Sequence, residues 1–175
     1  MKWLKVVLLI LILSISTSLG CKEEGSMNTE IPSLCQVYKD YFLIGAAVNP
    51  QTIIFYDELL KKHFNSVTPE NQMKWELIHP MAQTYRFAPA DSIVDFALEN
   101  NIKVRGHTLV WHQQTPEWVF RDDNGKNVDK NTLLKRLEEH IKNVVGHYKG
   151  KVYAWDVVNE AISDNPSEFL RDALW

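Results

Sequence analysis

The sequence has very little cysteine, and this scarcity excludes a fold held together by disulfides. Only Cys21 and Cys35 occur among the 175 residues, and a disulfide framework needs more than that. Stability must therefore come from packing, and Cys35 is most simply a small buried apolar residue. A long apolar run is also missing, because the stretch at 6–13 is too short to span a bilayer comfortably.

The sequence also lacks an excess of charge of either sign. Its formal net charge is -3, and acidic and basic residues are mixed along the chain, so nothing resembles a polybasic surface for nucleic acid. Internal repeats are absent, and so are low-complexity linkers beyond one short polar tether. Aromatic residues make up 11% of the chain and include six tryptophans. This content suits a neutral, hydroxyl-rich ligand, and it suits a well-filled core equally well.

Residues 1–20 have the pattern of a targeting segment and are left out of the fold. Two lysines precede the apolar stretch, and small residues lead up to Cys21. This arrangement resembles the lipobox of bacterial lipoproteins, and the acidic residues that follow resemble a tag for the outer cell surface. We therefore expect a surface protein anchored in the membrane through a lipid on Cys21, with a polar tether at 21–33. A plain secretory leader with an unrelated cysteine is the alternative.

The rest of the chain alternates between strand-like and helix-like segments. Apolar runs predict strands, and three- or four-residue periodicity predicts helices. The predicted strands are 42–48, 66–68, 102–109 and 152–158. The predicted helices are 53–64, a helix that Asp91 caps and that ends near residue 100, 133–148, and one that begins at 169–175.

This alternation predicts an α/β fold with a parallel sheet covered by helices. An open doubly wound sheet and a (β/α)8 TIM barrel both satisfy the pattern. No glycine-rich phosphate loop follows the first strand, which disfavours a nucleotide-binding doubly wound fold. Polar residues follow strands two, three and four, where a barrel has its active site. A complete barrel takes about 250 residues, so we expect roughly the first four βα units of one at 34–175.

The fourth predicted strand carries the clearest candidate for a catalytic group. Its segment at 152–161 has the sequence VYAWDVVNEA. Because a strand alternates its faces, Asp156, Val158 and Glu160 point the same way, which is inward in a barrel. Glu160 then lies at the mouth, where its carboxyl group can give a proton to a leaving oxygen. Asn159 beside it can bind a substrate hydroxyl.

The third strand ends in a cluster of ring and amide side chains, in the segment VRGHTLVWHQQTPEW at 104–118. His107 and His112 could ligate a metal, but no third ligand stands at a known zinc spacing. A sugar site explains the cluster better, since a sugar ring stacks on Trp111 and Gln114 binds hydroxyls. For Trp111 alone, packing in the core is an equally good explanation.

The second strand leads into a polar loop with the sequence TPENQMKW at 68–75. Glu70, Asn71 and Lys74 bring hydrogen-bond acceptors and donors to the same rim of the predicted barrel. A solvated loop is the simplest account of such a run, but its place directly after a strand favours binding.

Four segments together resemble glycoside hydrolase family 10, the endo-β-1,4-xylanases. They are GAA at 45–47, TPENQMKW at 68–75, GHTLVWH at 106–112 and WDVVNE at 155–160. The resemblance runs from about residue 34 to 175, with the segments in the family's order and spacing. It implies a (β/α)8 barrel that hydrolyses internal β-1,4 bonds of xylan with retention of configuration, and it implies no metal or organic cofactor.

The resemblance also assigns roles to individual residues. Glu160 matches the acid/base. The matching substrate-binding residues are Glu70, Asn71 and Lys74 on the glycone side, His107, Trp111 and Gln114 around the scissile bond, and Asn159 at the 2-hydroxyl of the cleaved sugar. No residue matches the second carboxylate, the nucleophile that retaining hydrolysis requires. We therefore expect the chain as given to be an incomplete catalytic domain, inactive alone.

Two other functions stay open from the sequence. A related retaining β-glycanase such as a cellulase shares the chemistry, although Ala161 after the Asn159–Glu160 pair and the segment at 106–108 favour the xylanase type. A glycan-binding surface lipoprotein without catalysis would explain the unmatched nucleophile. The intact Asn159–Glu160 pair argues against it.

Overall fold

The computed structural model describes residues 31–175, and its centre is a four-stranded parallel sheet. The targeting segment, the anchor predicted at Cys21 and most of the predicted tether lie outside these residues. The strands pair in chain order as β1 (Gly45–Val48), β2 (Ser66–Pro69), β3 (Lys103–Trp111) and β4 (Val152–Asn159). Every neighbouring pair is parallel, which confirms the sheet predicted from the alternating pattern.

Helices connect the strands, as parallel pairing requires. They are α1 (Leu34–Val37), α2 (Thr52–Phe55), α3 (Asp57–His63), α4 (Trp75–Ile78), α5 (Ala88–Glu99) and α6 (Lys130–His147), with one 3₁₀ turn at Glu117–Val119. The helix α6 begins at Lys130, three residues before the helix predicted at 133–148. It begins there because the side chain of Asp129 accepts hydrogen bonds from the amides of Asn131 and Thr132 and caps the first turn. Among residues 31–175, no helix is both long and apolar enough to cross a membrane.

The core lies between the sheet and the longer helices. Ile93, Val94 and Ala97 on one side of α5 have no exposed surface, and neither have Val67 of β2 and Val104 of β3. Each fully buried valine or isoleucine contributes about 1.5–3 kcal/mol relative to an exposed one. This packing aligns the strands so that their carboxyl ends meet along one edge.

Gly106 in the middle of β3 is required by the packing of β4. A Cβ atom at this position would lie 2.2 Å from the ring of Trp155, far inside van der Waals contact. The pairing between β3 and β4 also shifts register between His107 and Val110. The glycine of the third motif therefore allows the ring of Trp155 to pack against β3.

Two helices differ from their predicted bounds. The helix expected at 53–64 is divided into α2 and α3, because Tyr56 leaves the helical conformation at φ -124° and ψ 25°. Asp91 was predicted to cap α5, but α5 begins three residues earlier, with Pro89 in its first turn. The carboxylate of Asp91 instead contacts His147 at 2.8 Å. The first predicted strand is also shorter, since Phe42 is exposed and β1 begins at Gly45.

The helix predicted at 169–175 is wrong. Leu170 forms an antiparallel bridge with Ile162, and the amide of Ser163 donates to the carbonyl of Phe169 at 3.2 Å. Trp175 turns inward, and its indole donates to the carbonyl of Trp111 at 2.9 Å. These bonds engage the backbone of Phe169 and Leu170 outside a helix and direct the Trp175 ring to β3.

Candidate functional site

Polar side chains follow the strands at their shared carboxyl edge, as the sequence predicted. The first of them is Asn49, directly after β1, and its amide nitrogen donates to the Glu70 carboxylate at 2.9 Å. The amide of Glu70 in turn donates to the carbonyl of Val48 at 2.8 Å. Asn49 was not singled out from the sequence, although its place immediately after a buried strand could have identified it.

Lys74 joins the segments that follow β2 and β3. Its Nζ donates to Oδ1 of Asn71 and to Oε1 of Gln114, both at 2.9 Å, and lies 4.6 Å from the ring centroid of Trp111. Burial lowers the pKa of Lys74, and the negative charges of nearby carboxylates, first that of Glu160, act in the opposite direction. Three of the predicted sugar-binding residues therefore meet around this one cation.

Glu160 lies just beyond the end of β4, with its carboxyl group at the mouth of the site. The indole Nε1 of Trp111 donates to its Oε2 at 3.0 Å, and Nε2 of His112 lies 3.8 Å from the same oxygen. The side chain is 46% exposed, so a substrate can reach it. Its backbone has φ 54°, a left-handed conformation that costs a non-glycine residue about 1–2 kcal/mol.

Asp156 binds two basic side chains on the inner face of the sheet. Its Oδ2 contacts Nδ1 of His107 at 2.8 Å, and its Oδ1 accepts from Nε and Nη2 of Arg105 at 3.0 and 2.6 Å. The hydroxyl of Thr108 donates to the carbonyl of Asp156 at 2.8 Å. The carboxylate thereby holds the His107 ring in place, and the role of Arg105 had no sequence signal beyond its position on β3.

Two hollows flank the end of β4, and Asn159 borders both. One is lined by Glu70, Arg105, His107 and Asp156 together with the small residues of β1. The other lies beside Glu160 and is lined by, among others, Trp111, His112, Arg171 and Trp175. A ligand that occupied both hollows would pass Asn159, and Glu160 lines the second hollow.

The two histidines considered as metal ligands do not converge. His107 contacts Asp156, whereas His112 lies beside Glu160. Across residues 31–175, no three histidine, cysteine or acidic side chains are grouped as a metal site. The predicted site residues thus fall into a cluster around Lys74, a pair at Trp111 and Glu160, and His107 on its aspartate.

Comparison with known proteins gives consistent matches. The model of a family described as glycosyl hydrolase family 10 matches residues 33–175. A beta-1,4-xylanase of Dictyoglomus thermophilum is 63% identical over 169 residues, which are 97% of this chain and 46% of that protein. Endo-1,4-beta-xylanase B of Paenibacillus barcinonensis is 53% identical over 149 residues, which are 85% of this chain and 45% of that protein.

Solved structures agree in fold as well as in sequence. The crystal structure of a Paenibacillus barcinonensis xylanase with a conduramine derivative matches with a TM-score of 0.82 and 53% identity, over 84% of this chain and 44% of that one. A mutant xylanase of Thermoanaerobacterium saccharolyticum in complex with xylotriose matches with a TM-score of 0.78 and 42% identity, over 84% and 48%. The chain spans about half the length of the curated relatives it matches.

Proposed function

Since the chain belongs to glycosyl hydrolase family 10, whose fold is the (β/α)8 barrel, we propose that its complete protein is a retaining endo-1,4-β-xylanase. The four strands and their helices are then about half of that barrel. The relatives named as xylanases support the substrate class. The proposal extends to the whole protein, of which this chain supplies the acid/base side of the site.

One observation supports the assignment of Glu160 above all others. Its carboxyl group is exposed at the end of β4, hydrogen-bonded to the Trp111 indole at 3.0 Å, and next to Asn159, which borders both hollows. A sugar chain that passed Asn159 from one hollow to the other would bring a glycosidic oxygen near this carboxyl group. This geometry supports Glu160 as the group that protonates a leaving oxygen in mid-chain, which internal cleavage requires.

The mechanism assigns two successive tasks to Glu160. It first gives its proton to the leaving oxygen while a second carboxylate, about 5 Å away, attacks the sugar. It then takes a proton from the water that hydrolyses the covalent intermediate. Nothing in this chain matches that second carboxylate, and we propose that residues 22–175 alone turn over little xylan. Reducing-sugar release that disappears in Glu160→Ala would show that the chain supplies both groups.

The remaining predicted residues bind the sugar. We propose that Lys74, Asn71 and Glu70 hold hydroxyls on the glycone side, because all three follow β2 and present donors and acceptors there, Lys74 bound to Asn71 and Glu70 bound to Asn49. His107, held by Asp156, and Gln114, held by Lys74, face the sugar on either side of the bond to be cleaved. A neutral, hydroxyl-rich substrate suits this arrangement, since Lys74, Glu70 and Glu160 are hydrogen-bonded to neutral amide and indole groups.

The decisive experiment separates substrates by how much their leaving group needs a proton. In the protein expressed from the complete gene, Glu160→Ala should lower kcat/KM on xylan by about 10²–10⁴ or more. An aryl xyloside whose phenol is strongly acidic should lose much less, because its phenolate departs without help. The covalent intermediate should then accumulate and give a burst of phenol.

Added azide provides the control for the second task. A small anion needs no base and fits the space of the missing carboxyl group, so azide should speed turnover of Glu160→Ala and yield a β-glycosyl azide. If azide has no effect and both substrates lose activity equally, Glu160 is not the acid/base. Parallel assays on xylan and cellulose decide between the xylanase and a cellulase, and binding of xylan without turnover would identify a glycan-binding protein.

We also propose that the mature protein is tethered to the outer cell surface through a lipid on Cys21. The support is the sequence pattern around this residue, which lies outside the part of the chain that the structure describes. Cys21→Ser should move the protein from the membrane fraction to the soluble fraction. A wild-type protein that is soluble without detergent would contradict the anchor.

A further inference from the structure

The segment after β4 is tied to Glu160 by one side chain that no sequence motif includes. Arg171 donates from Nε to the carbonyl oxygen of Glu160 at 3.0 Å. Its Nη2 reaches the carbonyl of Ile162 at 3.4 Å and the carboxylate of Asp164 at 2.8 Å. Its own amide donates to the carbonyl of Ala161 at 2.9 Å. A single residue therefore hydrogen-bonds to four of the five positions at 160–164, all but Ser163.

This contact falls where the backbone needs support. Glu160 has φ 54°, and a non-glycine residue keeps such a conformation only when its surroundings impose it. The carboxylate end of Glu160 is held by the indole of Trp111 at 3.0 Å. The backbone end is held by Arg171. The two contacts together determine both where the chain turns and where the carboxyl group points.

The bonds from Arg171 to backbone carbonyls, rather than its ion pair with Asp164, support the backbone at Glu160. The side chain of Asp164 is 89% exposed, whereas that of Arg171 is 23% exposed. An ion pair with so exposed a partner is screened by water and stabilises little. The bonds to the carbonyls of Glu160 and Ile162 need the planar guanidinium, which presents Nε and Nη2 in a fixed fork. A lysine ammonium has no such fork.

We propose that Arg171 is a positioning residue for the acid/base, which holds the Glu160 carboxyl group at the leaving oxygen through the backbone of Glu160. The proposal rests on the proposed function, because it concerns the same proton transfer. Its consequence is selective. A displaced acid impairs substrates that need a proton and spares substrates whose leaving group departs unaided. A variant that keeps a basic side chain on the hollow lined by Arg171 should change substrate binding little.

The test compares Arg171→Lys with Asp164→Asn in the protein expressed from the complete gene. Arg171→Lys keeps the positive charge and removes the fork, and Asp164→Asn removes only the exposed ion pair. For xylan, Arg171→Lys should lower kcat by about 10- to 100-fold, since a misplacement of about 1 Å has an effect of that size, with KM little changed. Asp164→Asn should behave like the wild type.

The leaving-group comparison separates positioning from a merely structural role. For the aryl xyloside with a strongly acidic phenol, kcat/KM of Arg171→Lys should stay close to the wild-type value. Equal losses on both substrates, no loss on xylan, or an equal loss in Asp164→Asn would each overturn the proposal. Circular dichroism and melting curves verify folding. Arg171→Ala is a second variant, expected to show the same selectivity with a larger loss if it folds.

Glu160→Ala, measured in parallel, keeps the two proposals apart. If Glu160→Ala retains full activity on xylan, the proposed function itself fails. If Glu160→Ala loses its activity on xylan while Arg171→Lys does not, the acid/base assignment stands and only the role of Arg171 is refuted.

Discussion

The polar groups at the carboxyl edge of the sheet, here called the rim, and those of the core beneath it are satisfied in opposite ways. On the rim, Lys74 binds two side-chain oxygens and Glu160 accepts a bond from an indole. Beneath it, His140 has no exposed surface and stacks on Trp75 at 3.7 Å between ring centroids, and its Nε2 has no hydrogen-bond partner among residues 31–175. His79 contacts Nδ1 of His140 at 3.2 Å.

This difference separates histidines that can act from histidines that pack. The His107 ring is partly exposed and contacts the Asp156 carboxylate at 2.8 Å. The carboxylate can therefore hold this ring in one orientation toward a ligand. Burial lowers the pKa of His140 to about 3, and the neighbouring His79 adds to the effect. Burial lowers the pKa of His79 too. The buried pair therefore behaves as neutral aromatic rings that support the segment carrying Lys74 and Trp75.

The largest expected effect is the response of the buried pair to acid. The pKa of His140 is about 3 in the folded protein and about 6.5 unfolded. Between these values the unfolded chain binds the extra proton, so stability falls as the pH drops below about 6.5. The loss approaches about 4 kcal/mol near pH 3 for this one group.

Melting temperatures between pH 7 and pH 4 measure this loss. His140→Phe keeps a stacked ring and removes the titration, so its melting temperature should fall less steeply with acid than that of the wild type. Carboxylates titrate in both proteins and cancel in the difference. Parallel curves would mean that His140 is not the acid-sensitive group.

On the rim, the expected loss is in activity rather than in stability. Lys74→Met keeps the apolar stem and removes the donors to Asn71 and Gln114. A hydrogen bond from the Lys74 ammonium group to a substrate hydroxyl is worth about 1.5–3 kcal/mol, so kcat/KM on xylan should fall by about 10- to 100-fold with little change in melting temperature. Lys149→Met, between α6 and β4 at the opposite edge of the sheet, is the control. If Lys74→Met lowered the melting temperature strongly and left the activity unchanged, Lys74 would act in stability rather than in substrate binding.

Gly106 connects the two regions, because it lies next to His107 and against the ring of Trp155. Gly106→Ala places a methyl group 2.2 Å from that ring, and overpacking of this kind costs about 1–3 kcal/mol. Urea unfolding measures the loss. Gly146→Ala in α6 is the matched control, since nothing lies within 4 Å of its new methyl group, and it should stabilise by about 0.5–1 kcal/mol.

The smallest effect is expected at the solvent-facing side of α6. Lys142 pairs with Glu138 at 2.5 Å, but their side chains are 72% and 62% exposed. Water screens such a pair, so Lys142→Ala should leave the melting temperature and the activity unchanged within error. A measurable loss would show that exposed charges stabilise this fold more than its geometry indicates.

Much of the fold followed from short-range patterns. The four strands, the long helix α6 and the segments at the strand ends were predicted because burial imposes its period directly on the residues. The cap at Asp91 was wrong since Pro89 already starts α5 earlier and the carboxylate contacts His147. The predicted helix at 169–175 failed because Leu170 folds back into a bridge with Ile162 and Trp175 bonds to Trp111, which lies far away in the chain.

The sequence by itself determined the family, the order of the elements and the candidate residues Lys74, Trp111 and Glu160, since motifs of fixed spacing carry that information. Only the tertiary structure decided which groups meet. It placed Arg171 on the carbonyl of Glu160, Asn49 on Glu70, and His79 against His140. These contacts join residues between 11 and 61 positions apart, and such partners are chosen by how the strands and helices pack rather than by any local pattern.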